Sequence, residues 1–549
     1  MQTAMERQDA MRRQGYRSAS GDFSGEESEG DVLAPLLRAR GDHRNLYNKV
    51  EEDNRRWYQW VCSYASYVLL LMLLTYLLNQ LDRYMLAITS QPLAREVHFG
   101  DKACAINETL PDNVTARAVC NATAEASCVL SKDCTWDYNG QGLEYQILAG
   151  PVFILVYTFA GIFISFAADM YNRKNLLAAC LIFWSVATVL TGLVKEYWQL
   201  VLLRFLLGFG EAGCTPFAVS ILTDYFPSKL RGLVIGIYNL GIYSGYSMSY
   251  ALGNFITLAN IMGQGWRWSF YISGIPGVVL GVLILATVSE PARRVAPGPS
   301  ETSGGGQRIK DVSEMTACQK LTSTLKPFAT FSVVLLCLGG SVRNAAGYVW
   351  AYNTQLYFEA MNQTPTQIAM YMSWIPLVAG SIGVILGGQV SDFVVKRMGI
   401  IARVLVLTVS QLVAAPFAAG TLYFTAPTSY IMQIPTYIIG EMWVGVALTV
   451  LVELVEPQFK TSAIAVYLFI ITNIGGNVPL LVPPIQHAFE KVGSMKADAL
   501  RDALYILYPG LYVGGGVLFL LTVFSLRRDK RRVSYQRITE SEVTLPNDN

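Results

Sequence analysis

The sequence predicts an all-α integral membrane protein of twelve transmembrane helices, arranged as two pseudo-symmetric six-helix bundles. Three observations predict this fold: an apolar composition, twelve long apolar stretches and an internal repeat. Of the 549 residues, 52% are hydrophobic and only 15% are charged. A soluble chain of this length carries about 25% charged residues on average. The composition therefore indicates that much of the chain lies in lipid.

The apolar stretches are long enough to be membrane spans. A helix needs roughly 20 apolar residues to cross the hydrocarbon core, where its backbone hydrogen bonds close internally. We place the twelve predicted spans at about 61–88, 146–168, 175–194, 198–223, 232–256, 268–288, 328–357, 367–391, 401–424, 430–453, 462–485 and 504–526.

Polar segments between the spans predict the domain organisation. We expect a disordered cytosolic tail at 1–56, a first bundle at 57–289 with a long loop at 89–145, a Pro-, Gly- and Ser-rich cytosolic linker at 290–327, a second bundle at 328–527 and a cytosolic tail at 528–549. The first apolar stretch follows a long charged segment, so we do not expect it to be a cleaved signal peptide.

Basic residues predict the orientation of the spans, because short cytosolic loops are enriched in Lys and Arg. If the spans alternate, the following residues fall on one side together with the linker: Arg55, Arg56, Arg173, Lys174, Lys229, Arg231, Lys396, Arg397, Lys460 and the basic residues of 527–532. We expect that side, and both termini, to be cytosolic.

Cysteines and glycosylation sequons collect on the opposite side, where disulfides and N-glycans form. The 89–145 loop contains Cys104, Cys120, Cys128 and Cys134, which predict two disulfides in any of three pairings. The sequons are Asn107, Asn113 and Asn121 in this loop and Asn362 in the second bundle. The chain has three histidines and none in a ligand-spaced cluster, so we expect no metal site.

An internal repeat relates the two halves. Gly210-Glu211, followed by Pro227 and Arg231, recurs as Gly440-Glu441, followed by Pro457 and Lys460. After the second and eighth spans, Asp169 with Arg173 likewise recurs as Asp392 with Arg397. Six spans repeated in the same orientation are typical of transporters in which two halves rock around a central site.

Ionisable residues inside predicted spans are candidate functional residues, because their burial in a membrane is costly. Asp82 and Glu211 are candidates for proton coupling, and Arg83, Arg204, Arg343 and Glu441 for substrate binding. Arg204 and Glu211 lie two helical turns apart and therefore share a helix face. In each case the alternative is a static ion pair or network that holds helices together.

Two motifs resemble those of the major facilitator superfamily. They are Ala168-Asp169-Met170-Tyr171-Asn172-Arg173-Lys174 and the run from Arg204 to Ala212, and Asn79-Gln80-Leu81-Asp82-Arg83-Tyr84 resembles the spinster subfamily. The resemblance implies alternating access and a lysophospholipid or sphingolipid cargo. It also implies gating roles, as latches between the halves, for Asp169, Arg173, Asp392 and Arg397.

The sequence therefore predicts a secondary active transporter for an amphipathic lipid-like molecule or an organic anion or zwitterion. Proton coupling is left open, and a transporter-fold sensor with little net flux is the alternative. Phosphate-binding and catalytic motifs are absent, so we expect no enzyme, no cofactor and no nucleic-acid partner. The expected partners are the bilayer, the substrate, protons and sorting adaptors.

The sequence gives less information about which cellular membrane contains the protein. The tail contains an acidic run at 26–31 before Leu36-Leu37, similar to a dileucine sorting signal. It favours an endosomal or lysosomal membrane, with the plasma membrane as the alternative.

Overall fold

The computed structural model describes residues 63–106, 114–121, 123, 125–227, 230–291, 322, 325–455 and 460–543. From Val68 onward the described chain forms one compact unit. Within the described residues, all regular structure is helical except for one two-stranded antiparallel sheet.

The first half contains eleven helices and the sheet. In chain order they are α1 (Tyr64–Ile88), α2 (Ser90–Val97), β1 (Lys102–Ile106), α3 (Val114–Asn121), α4 (Glu125–Leu130), β2 (Cys134–Tyr138), α5 (Leu143–Ala149), α6 (Pro151–Met170), α7 (Arg173–Thr191), α8 (Tyr197–Glu211), α9 (Cys214–Tyr225), α10 (Arg231–Ala259) and α11 (Arg267–Thr287).

The second half contains ten further α-helices. They are α12 (Phe331–Ala360), α13 (Pro365–Met372), α14 (Ser381–Met398), α15 (Ile400–Tyr423), α16 (Thr428–Gly440), α17 (Trp443–Leu454), α18 (Lys460–Asn477), α19 (Val482–Val492), α20 (Lys496–Leu507) and α21 (Pro509–Val543). Short 3-10 or π turns lie at Ile261–Gly263, Lys326–Ala329, Pro376–Gly380 and Val478–Leu481.

Eleven helical segments among the described residues are long and apolar enough to cross a membrane. The segment α10 is not among them, although its 29 residues give ample length, because Tyr, Ser, Gly and Asn residues dilute its apolar ones. With α10 the segments number twelve, consistent with the sequence prediction. The all-α, multi-pass membrane fold predicted from composition is confirmed.

Two of the spans are broken at the same place in each half. The fourth span is divided into α8 and α9 directly after Glu211, and the tenth is divided into α16 and α17 at Glu441. A helix break leaves backbone carbonyls without their usual partners, so it creates polar groups at membrane depth. Each break lies beside a glutamate of the sequence repeat, Glu211 in the first half and Glu441 in the second.

Glycines bring the equivalent helix pairs into close contact. A Cβ at Gly245 of α10 would collide with the Leu77 carbonyl of α1, and one at Gly475 of α18 would meet the Ser341 carbonyl of α12. In lipid, helices associate through packing, which small residues allow. These contacts hold the first span of each half against the fifth.

The described part of the loop between the first two spans folds as a small cap, which we define as residues 101–106, 114–121, 123 and 125–141. Strands β1 and β2 pair antiparallel, with Cys104 opposite Trp136. The predicted disulfides are confirmed, and of the three open pairings the structure has Cys104–Cys128 and Cys120–Cys134. They link α4 to β1 and α3 to β2. The links stabilise a segment whose own apolar cluster is small.

The cap defines one end of the helical bundle, which we call the cap end. The opposite end, where α11 finishes and α12 begins, is called the linker end.

Candidate transport site

The first candidate pair joins Arg83 on α1 to Glu211 at the end of α8. Nε and Nη2 of Arg83 donate to Oε2 of Glu211 at 3.3 and 3.1 Å. Both side chains are buried, at 7% and 0% exposure. The Arg83 guanidinium also lies over the Phe153 and Tyr157 rings of α6, 4.9 and 4.5 Å from their centroids. The pair is thus enclosed by aromatic side chains that add cation–π attraction.

Arg204 lies close to the same pair. Its Nη2 donates to the backbone carbonyl of Arg83 at 3.3 Å, and its side chain is buried. The second carboxylate oxygen of Glu211, Oε1, makes no hydrogen bond to a described residue. The structure therefore brings three of the predicted residues together, Arg83, Arg204 and Glu211.

The second candidate pair joins Arg343 on α12 to Glu441 at the α16–α17 break. Nη2 of Arg343 donates to Oε1 of Glu441 and to the Gly440 carbonyl, both at 3.0 Å. Its Nε donates to Oε1 of Gln411 at 2.5 Å. The guanidinium lies 4.3 Å from the Tyr512 ring centroid. The carbonyl freed by the helix break is thus satisfied by the arginine.

The two pairs are related by the sequence repeat. Each uses an arginine on the first span of its half and a glutamate at the break of the fourth span. Each guanidinium also lies on an aromatic ring. The structure therefore brings Arg343 and Glu441 together in the place that corresponds to Arg83 and Glu211.

Hydrogen bonds between the halves run from the cap end to the middle of the bundle. Near the middle, the Tyr243 hydroxyl of α10 donates to Oε2 of Glu441 at 3.2 Å, so one half contacts the ion pair of the other. Nearer the cap end, Gln146 donates to Asn353 at 2.7 Å.

Further bonds close the cap end itself. The remaining contacts there are Tyr145 with the Tyr352 carbonyl, Asn254 with Gln355, and Lys496 with the Lys102 carbonyl. In this structure the halves are therefore in contact at the cap end.

Asp82 lies beside the Arg83–Glu211 pair but is a member of neither ion pair. It is 2% exposed, and neither carboxylate oxygen hydrogen-bonds to a described residue. A buried carboxylate without partners is costly as an anion. Asp82 is therefore the buried acid in this region with a chemical need for a proton or another cation.

The predicted gating residues lie at the linker end. Arg173 is buried and bonds Asp224 at 2.6 Å and Glu290 at 2.8 Å, which ties α7 to α9 and to the segment that follows α11. Asp392 is exposed and pairs with Arg403 at 2.8 Å, which also bonds Glu453 at 2.9 Å. The side chains of Asp169 and Arg397 lie outside the described residues.

The glycosylation candidates are only partly described. Asn107 and Asn113 lie outside the described residues. Asn121 is exposed at the end of α3, and its amide nitrogen donates to Oδ1 of Asn362 at 2.8 Å and to the Glu359 carbonyl at 3.4 Å. The two described sequons therefore meet across the halves.

A sequence profile of the Major Facilitator Superfamily matches residues 72–478. The chain belongs to this superfamily. It is similar to the sphingosine-1-phosphate transporter SPNS2 of Danio rerio, with 26% identity over 71% of this chain and 78% of that protein. It is also similar to the protein spinster homolog 1 of Xenopus tropicalis, with 26% identity over 70% of this chain and 74% of that protein. The resemblance to spinster proteins is thereby confirmed.

A third relative and a solved structure extend the comparison. The probable sulfoacetate transporter SauU of Cupriavidus necator is 31% identical over 53% of this chain and 63% of its own length. The crystal structure of a bacterial homologue of the human lysosomal transporter Spinster, inward-facing and unoccupied, matches with a TM-score of 0.61 at 23% identity. It covers 84% of this chain and 96% of the other, and it establishes the fold alone. SPNS2, SauU and the human lysosomal Spinster are named as transporters.

The sequence analysis did not name several residues of the linker-end clusters in this major facilitator protein. They are Arg403, Asp224 and Glu290. Arg173 and Asp224 are 51 residues apart, and Arg403 and Glu453 are 50 apart. The similar spacing of these two pairs is a sequence signal that Arg403 corresponds to Arg173. The sequence analysis matched Arg173 with Arg397 instead, because Arg397 is closer to Asp392, whereas Arg403 lies at the start of the ninth span.

Proposed function

We propose that the protein is a secondary active transporter that works by alternating access on an amphipathic lipid-like molecule or an organic anion or zwitterion. The observation that carries the proposal is the pair of mirrored Arg–Glu contacts, one in each half. Charged residues at membrane depth are expensive, so they persist where they face a partner or a substrate path. Two copies at equivalent places suit a site between halves that rock against each other.

The chemistry of the two arginines supports an anionic head group. A guanidinium donates through a planar fork that matches carboxylate, phosphate or sulfonate oxygens. The substrate-binding set is Arg83, Arg204, Arg343 and Glu441, and the rings beside the arginines offer surface for an apolar portion. The names of two relatives agree with this class, because sphingosine-1-phosphate and sulfoacetate are both organic anions.

The proposed coupling residues are Asp82 and Glu211. Asp82 lacks hydrogen-bond partners among the described residues, and Glu211 has one oxygen bonded to Arg83 and one without a partner. A substrate anion that engages Arg83 would weaken its hold on Glu211, and the released carboxylate would then favour a proton. Substrate and proton would thereby be linked through one arginine.

The proposed gates are at the two ends of the bundle. The cap-end contacts, such as Gln146 with Asn353, would break for the site to open on that side. At the linker end, Asp169, Arg173, Asp392 and Arg397 are proposed to participate in closure. A gate of this kind is a set of polar contacts that forms and breaks once in each cycle.

We extend the proposal to the topology, glycosylation, domain organisation and location of the protein. The linker end and both termini face the cytosol, the cap is translocated and glycosylated, and the two halves act as two bundles. The membrane is endosomal or lysosomal, or the plasma membrane, with sorting adaptors at the N-terminal tail. Loss of a glycosidase-sensitive mobility shift in Asn121→Gln and Asn362→Gln would map the sides.

The test is uptake by proteoliposomes of labelled lysophospholipid, a sphingosine-type lipid and small organic anions, with and without a pH gradient. We expect one class to accumulate, and Asp82→Asn to abolish its dependence on the gradient while the protein stays folded. If folded protein moves none of these compounds, the transport proposal is wrong and a sensor with little flux is favoured. The cap would then be its candidate ligand-binding part, because it belongs to the first half and contacts the second.

A further inference from the structure

A buried pair of amide side chains joins the two halves near the cap end, between Asn254 of α10 and Gln355 of α12. Nδ2 of Asn254 donates to Oε1 of Gln355 at 3.3 Å, and Nε2 of Gln355 donates to Oδ1 of Asn254 at 3.0 Å. The two residues are 4% and 1% exposed. The halves are therefore joined here by two reciprocal hydrogen bonds that are shielded from water.

The reciprocal contact requires each amide group to have one particular orientation, because each nitrogen must face the other group's oxygen. On α10, the Asn254 nitrogen also donates to the Tyr250 carbonyl four residues earlier, at 3.1 Å. On α12, the Gln355 nitrogen also donates to Oε1 of Glu359 four residues later, at 2.8 Å. Each half therefore orients its own amide, one through a backbone carbonyl and the other through a carboxylate.

The Glu359 carboxylate disfavours the opposite orientation of the Gln355 amide. Rotation of that amide by 180° would direct its oxygen at Oε1 of Glu359 and its nitrogen at Nδ2 of Asn254. Two acceptors would then face each other, and so would two donors. A hydrogen bond to a charged group is also stronger than one between neutral groups. Glu359 therefore selects the orientation of Gln355 that pairs with Asn254.

The cap contacts α12 at the same residue. Asn121, at the end of α3, donates to the Glu359 carbonyl at 3.4 Å. Glu359 itself is 7% exposed. The first half thus contacts the last turn of α12 at the Glu359 backbone through the cap, and reaches the Glu359 carboxylate through Asn254 and Gln355.

The amide pair lies between Arg343 and the cap end. Helix α12 has 30 residues, so it is about 45 Å long and extends beyond a hydrocarbon core of roughly 30 Å. Gln355 follows Arg343 by about three helical turns, which corresponds to ~18 Å along the helix. A contact at this depth is suitably placed to separate the Arg343 region from the cap end.

We infer that Glu359 is a positioning residue of the cap-end gate. Its carboxylate holds Gln355 in the orientation that pairs with Asn254, and this pair fastens α12 to α10 until the gate opens. Glu359 acts through Gln355 and not on the substrate. The inference rests on the proposed transport function for its purpose, although the fastening of the two helices can be measured without transport.

The experiment is hydrogen–deuterium exchange of the purified full-length protein, measured by mass spectrometry on peptides that cover 250–259 of α10 and 350–360 of α12. Glu359→Leu removes the acceptor. It should speed exchange about tenfold in both helices, because local opening sets the exchange rate and one hydrogen bond to a charged group is lost. Glu359→Gln keeps an acceptor oxygen and should restore the wild-type rate. The α10 peptide is decisive, because a structural role confined to α12 would not change it.

Further variants locate the effect. Asn254→Leu removes the pair from the first half and should speed exchange in the same two helices. Asn254→Leu/Glu359→Leu should be no faster than Asn254→Leu alone, because Glu359 acts through the pair. Gln486→Leu is the matched control, since Gln486 is buried and donates to Glu490 four residues later at 2.9 Å, within α19. It should leave exchange in α10 at the wild-type rate.

Two results would overturn the inference. One is unchanged exchange in α10 of Glu359→Leu, and the other is an effect of Glu359→Leu that adds in full to that of Asn254→Leu. If Glu359→Leu does not fold, Glu359→Ser, which leaves room for water in place of the carboxylate, decides in the same way. The expected exchange rates without uptake of any cargo would contradict the transport proposal and leave the positioning role standing. Uptake with unchanged exchange would reject the inference alone.

Discussion

Arg83 directs two N–H groups at one oxygen of Glu211, across a distance of 128 residues in sequence. Arg343 and Glu441 repeat the contact in the second half. In both places the glutamate lies where a membrane-spanning helix is broken. A buried ion pair adds little stability over an apolar replacement, because desolvation of the charges offsets their attraction. Stability alone therefore does not account for the two pairs.

Removal of one partner of the first pair should be costly. Glu211→Gln leaves the Arg83 charge buried without a carboxylate, and breaking a buried pair in this way costs about 3–5 kcal/mol. The double variant Arg83→Gln/Glu211→Gln should recover most of that loss because no charge is left unpaired. Thermal unfolding of the purified proteins measures both effects.

The second pair offers the matched comparison. Arg343→Gln/Glu441→Gln should likewise be more stable than Glu441→Gln alone. If either double variant is as unstable as its single variant, the pair does not behave as a coupled buried contact, and the static-network interpretation gains support.

Tyr243 should affect the transport cycle more than stability. Tyr243→Phe deletes its hydrogen bond to the Glu441 carboxylate, worth about 1.5–3 kcal/mol for a charged acceptor. Because the bond joins the halves, its loss should change the uptake rate severalfold with a small change in unfolding midpoint. Tyr271→Phe is the control, since the Tyr271 hydroxyl donates to the Gly192 carbonyl at 2.9 Å within the same half. Equal effects on rate from both variants would argue against an inter-half role for Tyr243.

The cap end should be locked by a short thiol cross-link. Gln146 and Asn353 are joined by a 2.7 Å hydrogen bond between α5 and α12. A short bifunctional thiol reagent applied to Gln146→Cys/Asn353→Cys should covalently link the halves and abolish uptake, while each single variant stays active. Mass spectrometry of the cross-linked peptide checks the link. Full uptake by cross-linked protein would show that the cap end does not open during transport.

Substitutions in the two linker-end clusters, one around Arg173 and one around Arg403, should reduce stability by different amounts. Arg173 is 5% exposed and bonds two carboxylates, so Arg173→Gln leaves Asp224 and Glu290 without their cation and should cost about 2–4 kcal/mol. The Asp392 side chain is 70% exposed, so Asp392→Asn should cost less than about 1 kcal/mol. Unfolding midpoints of the two variants test this order, and a larger loss for Asp392→Asn would reverse it.

The fold was largely predictable because its determinants are local. Lipid forces each span to satisfy its own hydrogen bonds, so runs of apolar residues map directly onto helices. The exception is instructive: α10 has diluted hydropathy, since residues such as Tyr243 and Gly245 face other helices and not lipid. The sequence nevertheless predicted it as an apolar stretch at about 232–256.

Individual contacts were less predictable because they depend on tertiary packing. The sequence indicated that Arg83, Glu211, Arg343 and Glu441 matter, since charges in apolar stretches are conspicuous. It did not indicate Gln411 or the aromatic rings, because polar amides and tyrosines are common throughout the spans. The disulfide pairing also required the register of β1 against β2, which four closely spaced cysteines do not specify.

The most direct test of the central claim is uptake by the double variant Arg83→Gln/Glu211→Gln in proteoliposomes, with the same labelled lysophospholipid, sphingosine-type lipid and organic anions as the wild type. The account predicts a folded protein, with an unfolding midpoint near that of the wild type, that accumulates none of the compounds the wild type accumulates. Uptake at the wild-type rate would show that the pair is structural and that the transport site lies elsewhere.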